Sequence, residues 1–152
     1  GSLISLGCQS AAVLGGVRWD GEVAIAARDF GRHLGIAYQI VDDLLDFTAT
    51  EEALGKPALA DMAQGLATAP ALFAAHDFPP MADMVQRQFS QDKDLEAAFE
   101  YVQRSGGIAK SRRLAEAHMQ AALTALSKLP GTDVNVRTAL EQLCHDVLNR
   151  RA

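Results

Sequence analysis

Cysteine is nearly absent from this 152-residue chain. The only two, Cys8 and Cys144, stand far apart and fit no metal-ligand spacing, so they read as reduced core thiols. The four histidines, His33, His76, His118 and His145, are scattered and form no HxxxH pair, which argues against zinc. No run approaches the roughly 20 apolar residues of a membrane span. The strict alternation of a half-buried strand is missing, as are any fixed-period repeat and any low-complexity segment. Ser2, Ser5 and Ser10 have no partners for a catalytic triad. Gly15-Gly16 and Gly106-Gly107 follow no strand and lead to no GKS or GKT ending, so neither reads as a phosphate loop. Lysine and arginine total 14 against 19 acidic residues, a net charge of −5, which argues against nucleic acid as the main partner.

What is present is apolar and helix-forming. Hydrophobic residues make up 49% of the chain, with alanine and leucine dominant. The length suits a single helical domain over 1–152, able to bury roughly 70% of its unfolded surface. Leu3 to Leu14 reads as a small-residue helix stopped by Gly15-Gly16, with Cys8, Ala11 and Ala12 suited to close packing. Trp19-Asp20 opens a long helix over about Gly21 to Phe47. Gly31 and Gly35 inside it each cost about 1 kcal/mol, which predicts tight approach of a neighbouring helix, with a kink as the alternative. Further helices are expected over Asp61–Ala75, Met81–Phe89, Leu95–Ser105, Ile108–Leu129 and Val134–Asn149, with a turn at Phe78-Pro79-Pro80. In the Ile108–Leu129 helix, Ile108, Leu114, Ala115, His118, Ala122, Leu126 and Leu129 form the apolar stripe.

The chemistry concentrates in Tyr38-Gln39-Ile40-Val41-Asp42-Asp43-Leu44-Leu45-Asp46-Phe47. An ionised carboxylate in an apolar helix is costly unless paired or bound to metal. Asp42 and Asp46 are one turn apart, about 6 Å along the axis, and Asp43 lies a step round. Like charges this close call for a cation, and oxygen ligands favour Mg²⁺ shared with substrate phosphates. Tyr38 and Gln39, four and three residues before Asp42, can reach the same face. Gln39 can donate to a phosphate oxygen, and Tyr38 offers a π-face to a cation. Downstream, Pro57 stiffens the loop that carries Lys56 in Gly55-Lys56-Pro57, where the ammonium can serve a phosphate as a point charge. Asp61 sits where a helix N-cap is expected. His33 reads as a packing or surface histidine, and Arg112-Arg113 as a solvated face.

The order aromatic-Gln, DDxxD, Gly-Lys-Pro and Asp-x-x-x-Gly-x-x-Thr resembles the trans-type polyprenyl diphosphate synthases, at their second aspartate-rich region. Leu66-Ala67-Thr68-Ala69-Pro70-Ala71-Leu72-Phe73-Ala74 and Phe78-Pro79-Pro80-Met81 are most similar to the long-chain branch that makes decaprenyl or solanesyl diphosphate. The resemblance runs over nearly the whole chain but covers only the C-terminal half or so of such an enzyme. It implies an all-α fold, a C-terminal partial bundle of the isoprenoid (terpenoid) synthase type. It also implies a prenyltransferase that elongates an allylic diphosphate with isopentenyl diphosphate for quinone side chains. Asp42 would be the principal Mg²⁺ ligand, and Asp43 and Asp46 would complete the shell directly or through water. Lys56 and Gln39 would orient the diphosphate beside Tyr38, and a basic C-terminus, Arg150-Arg151 here, can close over it.

Several family features have no match in this chain. It contains no first aspartate motif with its arginines. The family's Lys-Thr pair would stand just before Ser2. Tyr38 replaces the usual phenylalanine, and Leu66 a lysine of shorter-chain relatives. The expectation is therefore a portion of a larger, oligomeric synthase. The alternative is a non-catalytic helical fragment or subunit that keeps packing and dimer surfaces and holds half a metal site.

Overall fold

A computed structural model of the chain describes residues 1–48, 59–131 and 133–150. Within them every regular element is a helix, and no strand occurs. The helices are α1 (Ser2–Leu14), α2 (Glu22–Thr48), α3 (Ala60–Ala63), α4 (Ala69–Asp77), α5 (Pro79–Gln86), α6 (Asp94–Arg104), α7 (Gly107–Ser127) and α8 (Val134–Leu148). The all-α expectation stands. The contacts of the described residues divide into two compact units, one drawn from 1–39 and 115–150 and the other from 40–114.

In the first unit, Phe30, Leu34 and Ala37 of α2 pack with Met119, Ala122, Ala125 and Leu126 of α7 and with Cys144 and Val147 of α8. These residues recur at the three- and four-residue spacing that makes a helical stripe. α1 lies so close to α2 that a Cβ on Gly31 would stand 2.6 Å from the Ile4 carbonyl oxygen and 2.8 Å from Cys8 Sγ. A Cβ on Gly35 would stand 2.9 Å from Gly1 Cα. The two mid-helix glycines thus mark a close helix crossing, the first of the two explanations that their cost inside a helix suggested. α1 turns Ser5 and Gln9 inward: Ser5 Oγ donates to the Arg28 carbonyl and Gln9 Nε2 to the Trp19 carbonyl, both at 3.0 Å. Ala11, expected at the packed face, is exposed. At the far end of the unit, the Arg137 guanidinium donates to the carbonyls of Leu126 and Leu129, at 3.2 and 2.9 Å. It thereby ties α8 to carbonyls in the last turn of α7 and in the turn just after it.

The second unit packs Phe47, Met62, Ala71, Ala74, Met81, Met84, Phe89, Ala98 and Val102. Here the expected helix over 61–75 is two pieces. Gly65 takes φ +82, a left-handed conformation that glycine adopts without strain, and the chain re-enters helix at Thr68-Ala69-Pro70. The periodicity of apolar residues continues across this break, although the backbone does not. Asp61 lies in the first turn of α3, after Leu59, and is not its N-cap. Pro79 and Pro80 open α5 where a turn was expected, because the first turn of a helix needs no proline N–H. α5 stops at Gln86, before Gln88 and Phe89, both at positive φ. In α7, Ser111 is buried and Leu114 is exposed, so Ser111 replaces Leu114 on the buried stripe.

Asp94 is 4% exposed yet fully engaged. It takes a two-pronged pair from Arg87, at 2.6 and 2.8 Å, and the backbone N–H of Gln91 at 3.1 Å. The Arg87 hydrogen bonds hold its carboxyl below the usual range, against the opposing effect of burial. A depressed folded-state value means that this stabilisation is present above the unfolded carboxylate's value, about 3.9, and fades as pH falls through the lower folded one. The stability gap between wild type and Asp94→Asn should be constant from neutral pH to about 5 and shrink below about 4. Urea midpoints across that range measure it, and a gap that widens on acidification would refute the pairing.

The α1–α2 crossing gives a second expectation. Gly31→Ala should cost about 1–3 kcal/mol, the usual range for overpacking. Gly7→Ala, with nothing within 4 Å of its added Cβ, should be neutral or stabilising by up to about 1 kcal/mol. Equal denaturation midpoints for the two variants would contradict the crossing.

Candidate functional site

The acidic run occupies the C-terminal third of α2. Ile40, Val41, Leu44 and Phe47 are buried and fix the rotation of the helix. Gln39, Asp42, Asp43 and Asp46 follow one another at spacings of three, one and three, which gathers them on one face. Asp42 is half-buried, whereas Asp43 and Asp46 are 8% and 2% exposed. Tyr38 and Gln39 are exposed. Thr48 Oγ1 donates back to the Leu44 carbonyl at 2.9 Å, a local bond typical of threonine in a helix.

The two buried carboxylates reach backbone donors further along the chain. Asp46 Oδ2 accepts from the Asp61 N–H at 3.3 Å, and Asp43 Oδ2 makes a longer contact, 3.5 Å, with the Ala69 N–H. Ala69 opens α4, whose N-cap Thr68 contributes no side-chain bond. A carboxylate at that end is favoured by the helix dipole and its open N–H groups. The sequence gives no sign of these contacts, because a backbone N–H has no residue signature.

Tyr38 has acquired a neighbour of its own. The Arg150 guanidinium lies over its ring, 5.0 Å from the centroid, so one π-face already meets a cation. The sequence marks Arg150 only as part of a basic terminus. Arg151, like Lys56 and the rest of Gly55-Lys56-Pro57, lies outside the described residues. Leu66 is exposed.

Oxygen donors are what this face offers. Among the described residues no group of three His, Cys, Asp or Glu side chains is gathered closely enough to hold a metal alone. Carboxylate oxygens suit a hard ion which takes one or two carboxylates and fills its other positions with water and substrate phosphates. This face does not fit a site for zinc with a complete protein shell. No helix among the described residues is long and apolar enough to cross a membrane.

The sequence reading missed one constellation. His33 and His118, 85 residues apart, meet with their Nδ1 atoms 2.9 Å apart. Burial above all, then the nearby His33 and Arg32, holds the His118 imidazole below its ordinary range. The signal was faint but present. His33 lies between Phe30 and Ala37 on α2, and His118 between Ala115 and Ala122 on α7, each at the margin of a core-facing stripe.

Comparison with known proteins places this helical arrangement. Solanesyl diphosphate synthase 3 of Arabidopsis thaliana is 42% identical over 153 residues, covering 98% of this chain and 36% of its own. An apo medium/long-chain length prenyl pyrophosphate synthase of Arabidopsis superposes with a TM-score of 0.84 at 41% identity, over 97% of this chain and 50% of that one. A polyprenyl synthase of Caulobacter crescentus, solved with calcium and isoprenyl diphosphate, gives 0.79 at 34% identity, over 99% and 46%. The chain spans about a third of the length of the curated relatives it matches. With the polyprenyl synthetase model matching residues 1–102, two thirds of its length, the chain belongs to the polyprenyl synthetase family.

Proposed function

We propose that this chain is the C-terminal portion, one helical domain over 1–152, of a long-chain trans-prenyltransferase. Its Asp42 face would serve Mg²⁺ and the diphosphate of an allylic substrate. The observation that carries the reading is the oxygen-only face of α2 in a member of this family. A relative solved with calcium and isoprenyl diphosphate supports it. The reaction is elongation: the allylic diphosphate ionises, the double bond of isopentenyl diphosphate attacks the allylic carbon, and a proton leaves the adduct. Solanesyl, decaprenyl and hexaprenyl synthases among the relatives support a long product of the quinone side-chain class.

The residues of the site divide the work. Asp42, the least buried of the three carboxylates, holds the ion. Asp43 and Asp46 complete the shell directly or through water while anchoring the segments that begin at Ala69 and Asp61. Gln39 donates its amide hydrogens to a phosphate oxygen or a bound water. Lys56 contributes a point charge to the same diphosphate. Tyr38 carries Arg150, whose guanidinium suits phosphate oxygens. Magnesium, when bound, stabilises the charge of the departing diphosphate, and oriented donors add to that stabilisation without reorganising.

Oligomers, of like or unlike chains, fit the exposed Leu3, Leu6 and Leu14 of α1 and Val134, Val136 and Leu143 of α8, since apolar patches favour association. A second reading is a helical subunit that keeps these packing surfaces and only part of the metal site. It is favoured by the share of the relatives' length that the chain spans.

Two measurements test the proposal. Calorimetry with diphosphate and Mg²⁺ should show weak binding that Asp42→Ala reduces at least tenfold, about 1.4 kcal/mol, with the helical circular dichroism intact. Unchanged binding in that variant would remove Asp42 from the ligand set. Incubated with labelled isopentenyl diphosphate, farnesyl diphosphate and Mg²⁺, the 152-residue chain by itself should give no long-chain product. Substantial product would show that these residues suffice for elongation.

A further inference from the structure

His33 and His118 have no task in the proposed prenyl transfer, and their geometry is specific. The two Nδ1 atoms are 2.9 Å apart, the ring centroids 5.1 Å apart, and the ring planes are inclined by 34°. The rings therefore meet edge to edge, one Nδ1 donating and the other accepting. Both residues are half-buried. They stand where Phe30, Leu34 and Ala37 of α2 pack with Met119 and Ala122 of α7. Their hydrogen bond thus fastens the two helices at the margin of a common core.

We propose that this contact is an acid-released clasp between α2 and α7, closed while the two rings share at most one added proton and opened when both are charged. The proton count decides it. In the neutral pair the donating ring carries its proton on Nδ1 and the accepting ring on Nε2. A first added proton goes to the Nε2 lone pair of the donating ring. That leaves an imidazolium donating to a neutral imidazole, and a charge-assisted hydrogen bond is stronger than a neutral one. A second proton can enter only at the accepting Nδ1. Two N–H groups then point at each other across 2.9 Å, and two cations stand with ring centroids 5.1 Å apart. The hydrogen bond becomes a repulsion, which the rings relieve by separating. Coupling of this kind makes the pair titrate in two macroscopic steps, not as two independent rings.

The charges around the pair oppose a second proton more than they favour it. Arg32 on α2 is positive, and so is Lys128, just past the end of α7. Asp29, one turn before His33, supplies a carboxylate to the cleft that His33 and Lys128 also line. α1 and α8 bring the thiols of Cys8 and Cys144 to this core. Burial pushes both thiols up, and Glu141 pushes Cys144 further, so neither carries charge in acid. Burial above all, then His33 and Arg32, holds His118 below its ordinary range. The unfolded chain therefore takes up this proton first, as pH falls through about 6.5. The stability that the clasp contributes is complete above that pH and declines on acidification towards the lower folded value.

The test is a pH titration of the 152-residue protein, read by histidine-ring NMR and by amide hydrogen exchange. In the wild-type protein the rings of His33 and His118 should titrate together in two steps. His33→Ala should leave His118 a single step, about 0.5 pH units or more above the second step of the pair, since a neighbouring cation is gone. From about pH 7 to about pH 5, exchange corrected for its intrinsic rate should quicken about threefold or more for core amides over 30–37 and 115–126. Amides of the other unit, around Met81 and Val102, should not follow. His33→Gln, whose amide can hydrogen-bond to His118 but takes no proton, should abolish the acid response. Four results would each overturn the proposal: independent one-step titration of the two wild-type rings, a His118 step in His33→Ala no higher than the second step of the pair, an acid response that persists in His33→Gln, or equal quickening in both units. The wild-type titration decides the question even where a variant folds poorly. No outcome involves Asp42, so the clasp stands or falls apart from the prenyl-transfer reading.

Discussion

Two carboxylates, Asp43 and Asp46, are buried on a helix whose neighbouring positions are Leu44, Leu45 and Phe47. A charge in such a place has to be met by donors or by a cation, and the segments that follow α2 come to it. The chain returns to give the Asp61 N–H to Asp46 and brings the start of α4 to Asp43. Acidic residues that sequence inspection assigns to metal binding therefore also set the path of the chain over Leu59 to Pro70. The least buried of the three, Asp42, combines access with a rigid base. Rigid support is what the role proposed for Asp42 would need, since orientation fixed in advance costs nothing at the moment of binding.

Much of the fold could be read from punctuation. Gly15, Pro130-Gly131 and Gly106 bracket α1, α7 and α8 because each sits where a helix of L-residues stops or starts at low cost. The reading failed where apolar spacing and backbone conformation disagree. Met62, Leu66 and Phe73 continue a helical rhythm across Gly65, but a residue at φ +82 ends the helix. Pro79 was read as a breaker when its missing N–H suits it equally to a first helical turn. At Ser111 and Leu114 a small polar residue took the buried place and a large apolar one the surface. Tight packing of α7 explains the choice: the start of this helix lies so near Pro70 that a Cβ on Gly107 would stand 2.6 Å from its carbonyl oxygen.

The candidate site was legible in its residues and illegible in its partners. Asp42, Asp43 and Asp46 announce themselves because three acids in an apolar stretch break the pattern of their neighbours. The donors that meet them are main-chain N–H groups, which every residue but proline possesses. Arg150 over Tyr38 and His33 against His118 join residues more than 80 positions apart, and such pairs exist only once the helices have packed.

The α1–α2 crossing has a consequence best put in genetic terms. The obstacle to a side chain at position 31 is twofold: Cys8 Sγ, and the Ile4 carbonyl oxygen. The first can be trimmed by substituting Cys8, but the second is main chain and present whatever residue occupies position 4. A second-site suppressor of Gly31→Ala that works by making room at position 8 would therefore recover part of the loss and no more. Full suppression would require α1 to move as a body, carrying Ser5 and Gln9 away from the carbonyls of Arg28 and Trp19 that they satisfy.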